Sequence, residues 1–534
     1  MVQKRQEPAQ ERLIMNPDGA PKISENSRRI ARNTLALYFR MLVLLAIGLY
    51  TSRVVLHSLG ETDLGVYTTV GGFVALFAVI SNSLSAAISR FLTFELGKGD
   101  QDRLRRIFST AVVIQALITA GIIFLAELAG PWYISRYMTI PPDRVHAAKV
   151  VFQFSVVTFA VNLVSVPYNA SIIAHEKMTA FAYMGIFEGL CKLAIALLIS
   201  VAPMDSLVFY ALAMCLVAVA VRVVYQVYCR RNFRECRGKM AFDRSLLREM
   251  SGFAGWNFIG AASGVLRDHG GTLVINLFFP AAVNAARALA IQVNGAVSQF
   301  ATSFMTSMNP QITKSYASGD RKYMMSLAFR GSRFSLYLLM MLSFPILFNT
   351  PYLMDLWQVD VPDHSVRFVQ LVLVLTMVEA VSAPLVTMML ATGDIKKYQI
   401  IVGGLQLLNV PLAWIALKLG GAPELVYVVA IALSVACLAA RMILLRGMVG
   451  LDTRAFCVQV LGNIALVAAV SIPLPLVLSK VLGESFLNML LVCTVSVFCT
   501  GAAVWTLGLS RQERDFLKAK AFEKLGISKD GQRS

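Results

Sequence analysis

The feature that most constrains this chain is a succession of apolar runs of about 20 residues, the length an α-helix needs to cross the hydrocarbon core of a bilayer. They recur through nearly all of the 534 residues, of which 57% are hydrophobic, and the mean hydropathy is +0.65. In hydrocarbon only helices and closed barrels satisfy their backbone polar groups. These runs are too long for barrel strands and lack their alternation, so the chain reads as an all-α polytopic membrane protein. Fourteen spans are expected, at 34–56, 64–93, 107–130, 150–174, 181–201, 207–228, 251–279, 288–310, 328–348, 368–391, 398–417, 425–440, 455–478 and 485–509.

Charge orients the spans. Most of the 49 Lys and Arg fall in alternate connections, clustered at Arg28, Arg29 and Arg32, between Arg230 and Arg248, and from Arg511 to Lys529. The positive-inside rule makes those segments and both termini cytoplasmic, which requires an even number of spans. Topology and anionic lipid headgroups then account for the net charge of +18, and nucleic acid is not an expected partner. The polar first thirty residues lack the apolar core of a signal peptide.

Enzymatic signals are missing. The eight cysteines fall in spans or cytoplasmic segments with no Cys-x-x-Cys pair, so neither disulfides nor a metal is expected. No nucleotide loop of the form GxxxxGK[ST] and no HExxH occurs. A membrane-embedded glycan polymerase or ligase would need a catalytic outer loop, whereas the longest, 131–149 and 349–367, hold one histidine each. No catalytic residue and no cofactor is expected.

Internal repetition divides the chain. A shift of 220 residues superposes Leu96-Gly97-Lys98-Gly99-Asp100 on Tyr316-Ala317-Ser318-Gly319-Asp320, and one of 217 superposes Pro167–Ala174 on Pro384–Ala391. Spans one to six and seven to twelve therefore read as two copies related by an axis along the membrane normal. The expected organisation is a polar tail (1–33), an N-lobe (34–228), a basic linker (229–250), a C-lobe (251–446), two further spans (447–509) and a basic tail (510–534).

Six basic residues lie inside the spans: Arg40, Arg53, Arg90, Lys192, Arg222 and Arg267. A cation at a membrane helix centre costs roughly 2.5 to 3.5 kcal/mol, so each needs a water-filled cavity or a partner. Arg90 and Arg222 lie near cytoplasmic ends, where snorkelling suffices; Arg40 is divided between snorkelling and a cavity. Glu188 and Lys192 are spaced i,i+4 and can neutralise one another or form part of a site. Arg53 and Arg267 fall in the first helix of each lobe and are assigned to a cleft between the lobes, with spans one and seven facing each other. Asp268 is a poor partner for Arg267, because adjacent helical residues point about 100° apart. Glu379 is either an ion or proton site or the partner of an arginine, and Asp268 and Glu188 join it as coupling candidates. Glycines around Arg267-Asp268-His269 suggest that span seven bends beside the cleft.

At Asn33-Thr34-Leu35, Ser52–Leu56, Asp63–Tyr67, Arg90–Asp100 and Val283–Arg287, the chain resembles bacterial Wzx-type polysaccharide flippases of the multidrug/oligosaccharidyl-lipid/polysaccharide (MOP) exporter superfamily. The resemblance implies a V-shaped, MATE-like inner-membrane transporter that flips undecaprenyl-pyrophosphate-linked oligosaccharide by alternating access. It implies a cationic lumen, membrane lipids and a glycan polymerase as partners, and a proton or sodium as coupling ion. Arg53 and Arg267 are the expected headgroup ligands, with Arg40 and Lys192 as further members. Arginine suits that task because its fork matches phosphate oxygens bidentately. A small-molecule or drug antiporter of the same superfamily is the alternative, and would be expected to carry a carboxylate-dominated cavity.

Overall fold

Each apolar run folds as a helix. The computed structural model of the protein describes residues 25–75, 78–136, 140–237, 241–357, 362–511, 513–515 and 518. Most of the two expected tails lies outside these residues. The helices are α1 (Glu25–Ala75), α2 (Ala78–Lys98), α3 (Gln101–Arg136), α4 (Val145–Ala174), α5 (Met178–Leu198), α6 (Ser206–Asn232), α7 (Arg244–Phe278), α8 (Ala281–Ala317), α9 (Arg321–Trp357) and α10 (Ser365–Thr392). They continue as α11 (Lys396–Lys418), α12 (Leu425–Val449), α13 (Thr453–Val481) and α14 (Phe486–Gly508). No strand occurs among the described residues.

Among the described residues, eleven helices are long and apolar enough to cross a membrane. The other three are α2, α7 and α8, whose apolar stretches are interrupted by polar residues such as Asn284, Gln292, Asn294 and Gln299. With α1, these same helices carry the main contacts between the first six helices and the next six. Polar helices suit a wet interface, while the apolar ones are left to meet lipid.

One expectation about α1 is corrected. No loop separates the first two spans at 57–63: α1 continues through a kink at Gly60, the one residue inside it with non-helical backbone (φ 76°, ψ 171°). Positive φ is what glycine supplies there, since a Cβ would meet nothing within 4 Å. α7, by contrast, runs without interruption. Two of its glycines serve packing: a Cβ at Gly260 would lie 2.0 Å from Gln399 Oε1, and one at Gly270 2.4 Å from Val410 Cγ2.

The shift of 220 residues reappears as one turn built twice. Gly99 and Gly319 both end a helix with positive φ, and Asp100 and Asp320 each accept the backbone N–H three residues on, from Arg103 and Tyr323, at 2.9 Å. α2 packs on α4 as α8 does on α10, and α4 on α6 as α10 does on α12. α13 and α14 dock on α9, where Arg333 reaches Glu513 at 2.9 Å and Tyr337 donates to Asn463.

Candidate functional site between the two sets of helices

The helix ends near residues 29, 98, 176, 314 and 393 form one face of the bundle, called the basic face here; those near 60, 144, 205, 364 and 424 form the far face. Cross-contacts between the two halves cluster toward the basic face. Glu176 sits in the turn between α4 and α5 with φ 58°, its carboxylate fully buried. It takes Arg29 Nε at 2.8 Å, Lys314 Nζ at 2.5 Å and Gln311 Nε2 at 2.5 Å. Its carbonyl accepts from Asn33 at 3.1 Å. Burial, opposed by Glu176, holds the Lys314 ammonium below the usual lysine range. Thr34 and Ser307 share a hydrogen bond of 2.6 Å, and the rings of Tyr38 and Phe300 lie 5.9 Å apart.

The other half of this seam joins α2 to α7 and α10. Arg90 donates from Nη2 to the Ala391 carbonyl at 3.1 Å, and its guanidinium lies 4.7 Å from the rings of Phe91 and Phe94. Phe91 meets Phe253 edge-on at 5.8 Å. A Cβ at Gly97 would come within 2.9 Å of the Lys314 backbone, so a side chain there would push α2 off α8. The pairing is crosswise: α1 packs on α8 and α2 on α7. Spans one and seven, expected to face each other, are not a principal contact. The two halves are thus sealed at the basic face.

The residues singled out from sequence separate into three places. Arg53 is exposed on α1. Arg40 lies within the first six helices, 4.5 Å from the Phe181 ring and against Gly185, where a Cβ would meet its Nε at 2.3 Å. Lys192 and Glu188 form an i,i+4 ion pair of 2.6 Å on α5. Arg267 is turned into the second six helices: it pairs with Glu379 of α10 and reaches Asp268 Oδ1 from Nε at 2.9 Å and Nη2 at 2.8 Å. The pairing judged poor therefore forms. The 100° rule applies to Cβ directions, and the long arginine side chain spans that angle. Arg267 is 15% exposed, against 61% for Asp268 and 38% for Glu379.

Beside this triad, Arg287 of α8 donates to the Asp268 carbonyl at 2.9 Å and to Thr272 at 3.2 Å, and lies 4.8 Å from the Tyr427 ring. Gly271 makes room for it, since a Cβ would sit 2.7 Å from Nη2. Arg90 and Arg222, read as snorkelling, are instead held inside: Arg90 as described, Arg222 over the Tyr168 ring at 4.0 Å. Glu176, Arg287 and Arg441 escaped the sequence reading. The signal for Glu176 was present, because the 217-residue shift sets an acid there against Gly393.

At the far face each half carries an acid–base clasp. Arg144 joins Asp63 and Asp205; His364 meets Glu424 at 2.8 Å. Burial raises the Asp63 carboxyl above the usual range despite Arg144. For Asp205, burial is outweighed by backbone N–H groups of α6 and by Arg144, and the carboxyl is lowered. For Glu424, burial is outweighed by His364 and Arg367, with the same result.

Residues 36–198 match the MatE family model. No curated protein sequence matches the chain. Among solved structures, an outward-facing multidrug resistance MATE transporter of the MOP superfamily superposes with a TM-score of 0.67 at 10% identity, covering 80% of this chain and 99% of that one. The fold is the MATE fold. The MATE transporter ClbM in complex with Rb+ gives a TM-score of 0.64 at 15% identity (81% and 96% covered). The Vibrio cholerae MATE transporter VcmN, in a bent form, gives 0.65 at 14% (82% and 98%). About a fifth of this chain lies outside the MATE likeness.

Proposed function

We propose that the protein is an alternating-access flippase that moves an anionic, undecaprenyl-pyrophosphate-linked oligosaccharide from the inner to the outer leaflet of a bacterial inner membrane. On this reading the basic face and both termini are cytoplasmic, the two six-helix lobes are the moving bodies, and a polymerase receives the glycan outside. The observation that carries the proposal is the surplus of unpaired cations on the helices. Arg40, Arg53, Arg90, Arg222, Arg287 and Arg441 form no ion pair among the described residues, and five of them keep a buried N–H without a partner. Helices so charged favour an anion in the space between them.

Arg53, exposed and without an ion-pair partner among the described residues, is the proposed headgroup ligand. Arg267 can join it only by leaving Glu379, so that carboxylate is the proposed coupling site: a proton or sodium there would free the guanidinium, with Asp268 assisting. Glu188 paired to Lys192, and Arg40 stacked on Phe181, are proposed to be supporting groups in the N-lobe. A second reading, an ion-coupled small-molecule antiporter, draws on the partly exposed Asp268 and Glu379 and on the ion-bound MATE structure.

Reconstituted vesicles decide between them. Lipid-pyrophosphate-linked oligosaccharide should cross per inserted molecule, and a cationic dye should not. Dye transport without glycan flipping would defeat the flippase.

A further inference from the structure

The two halves of the basic-face seam are repeat-related but filled differently. In one, the α4–α5 turn supplies Glu176, which takes up Arg29 and Lys314. The 217-residue shift sets Gly393, in the turn after α10, at the position of Glu176, and the 220-residue shift sets Glu249 at that of Arg29. No carboxylate therefore enters from that position of the turn in the second half. A crevice of about 510 Å³ lies beside it, lined by Arg90, Arg248, Glu249, Trp256, Asp394 and Lys396 among others.

The cations there outnumber the acids. A Cβ at Gly393 would lie 2.5 Å from Arg90 Nη2, so the guanidinium rests against the place that Glu176 fills on the opposite side. Arg90 Nε is buried without a hydrogen-bond partner, and Arg90 has no ion pair among the described residues. Glu249 is drawn toward Arg103 at 3.7 Å. Lys396 lies 5.5 Å from the Trp256 ring. The volume falls within the usual range for small-ligand sites, and the crevice lies at the helix ends, the level of phospholipid headgroups in a spanning bundle.

We propose that this crevice binds a phosphate-bearing anion, which bridges Arg90 of the first half to Arg248 and Lys396 of the second as Glu176 bridges the other side. Two sources share the chemistry: the headgroup of an acidic membrane lipid and a soluble phosphate. Because the site spans both halves, its occupation favours the state sealed at the basic face. The inference goes beyond the flippase proposal and does not depend on which substrate is carried.

The test is hydrogen exchange on the full chain in phosphatidylcholine nanodiscs, followed in peptides covering Gly252–Trp256 and Gly393–Lys396. One arm adds phosphatidylglycerol and the other inorganic phosphate to about 10 mM, a range suited to weak anion sites. Protection by phosphatidylglycerol identifies a lipid site, and protection by phosphate alone a soluble one. The double variant Arg248→Glu/Lys396→Glu, at exposed positions, should need at least about tenfold more ligand, some 1.4 kcal/mol. No protection in either arm, or a double variant that responds like the wild type, would overturn the proposal.

Discussion

The two halves of the basic-face seam use repeat-related helices and opposite chemistry. Where α8 meets the α4–α5 turn, three donors converge on one fully buried carboxylate; where α2 meets the turn after α10, an arginine is held by aromatic rings and a carbonyl. The far-face clasps differ in the same manner, Arg144 with two aspartates on one side and His364 with one glutamate on the other. Helix packing thus conserves the scaffold, while each contact is free to change its polar groups so long as buried charge remains compensated. The difference makes the halves unequal in strength and in what can unlock them.

The sharpest way to break this comparison is Glu176→Ala. Removing one partner of a buried ion cluster costs on the order of 3 to 5 kcal/mol, and here the loss falls on the sealed state. A cysteine placed at Ser307, in a background lacking native cysteines, should become reactive to an impermeant thiol reagent applied to the basic face. Arg90→Gln should open the seam less, because stacking and one carbonyl contact are weaker than a paired carboxylate. Equal opening by the two variants would erase the claimed asymmetry.

Arg53 and Arg267 give the next largest effect, and they should fail differently. Arg53→Ala should lower flipping per inserted molecule about tenfold or more, as expected for loss of a charge-assisted contact worth roughly 1.5 to 3 kcal/mol, with abundance unchanged. Arg267→Ala should lower abundance, because Glu379 loses its partner, and Glu379→Gln should restore part of it. The coupling in that double-mutant cycle should be on the order of 1 to 3 kcal/mol. Normal abundance of the Arg267 variant with flipping lost would return Arg267 to the ligand role.

The smallest effect is a pH dependence of opposite sign at Asp63 and at Glu424. Glu424 has a lowered pKa, so its contribution is present above the ordinary carboxylate value near 4 and is lost as pH falls through the lowered one. Asp63 has a raised pKa, so its charge opposes folding at neutral pH, and the opposition is relieved as pH falls through the raised value. On acidification from pH 7, Glu424→Gln should flatten the fall in thermal stability and Asp63→Asn should steepen it. Melting curves in detergent read both; slopes of the same sign would show that the two carboxylates respond alike.

How much of this was legible beforehand depends on the range of the interaction. The helical spans were, because crossing hydrocarbon is a condition on about 20 consecutive residues. The Glu188–Lys192 pair was as well, since four residues of helix set its geometry. The kink at Gly60 was not, because glycines are tolerated inside long helices and only the packed chain shows which one bends.

Sequence by itself determined the helical, membrane-spanning fold class, the internal repeat, and the presence of more cations than acids inside the apolar runs. The tertiary structure alone decided where those cations go. Glu379 reaches Arg267 from 112 residues away, and Glu176 meets Lys314 across 138. Such partners depend on the rotation and depth of one helix against another. Those are set by close packing of small residues such as Gly97, Gly260 and Gly271, and no local pattern records them.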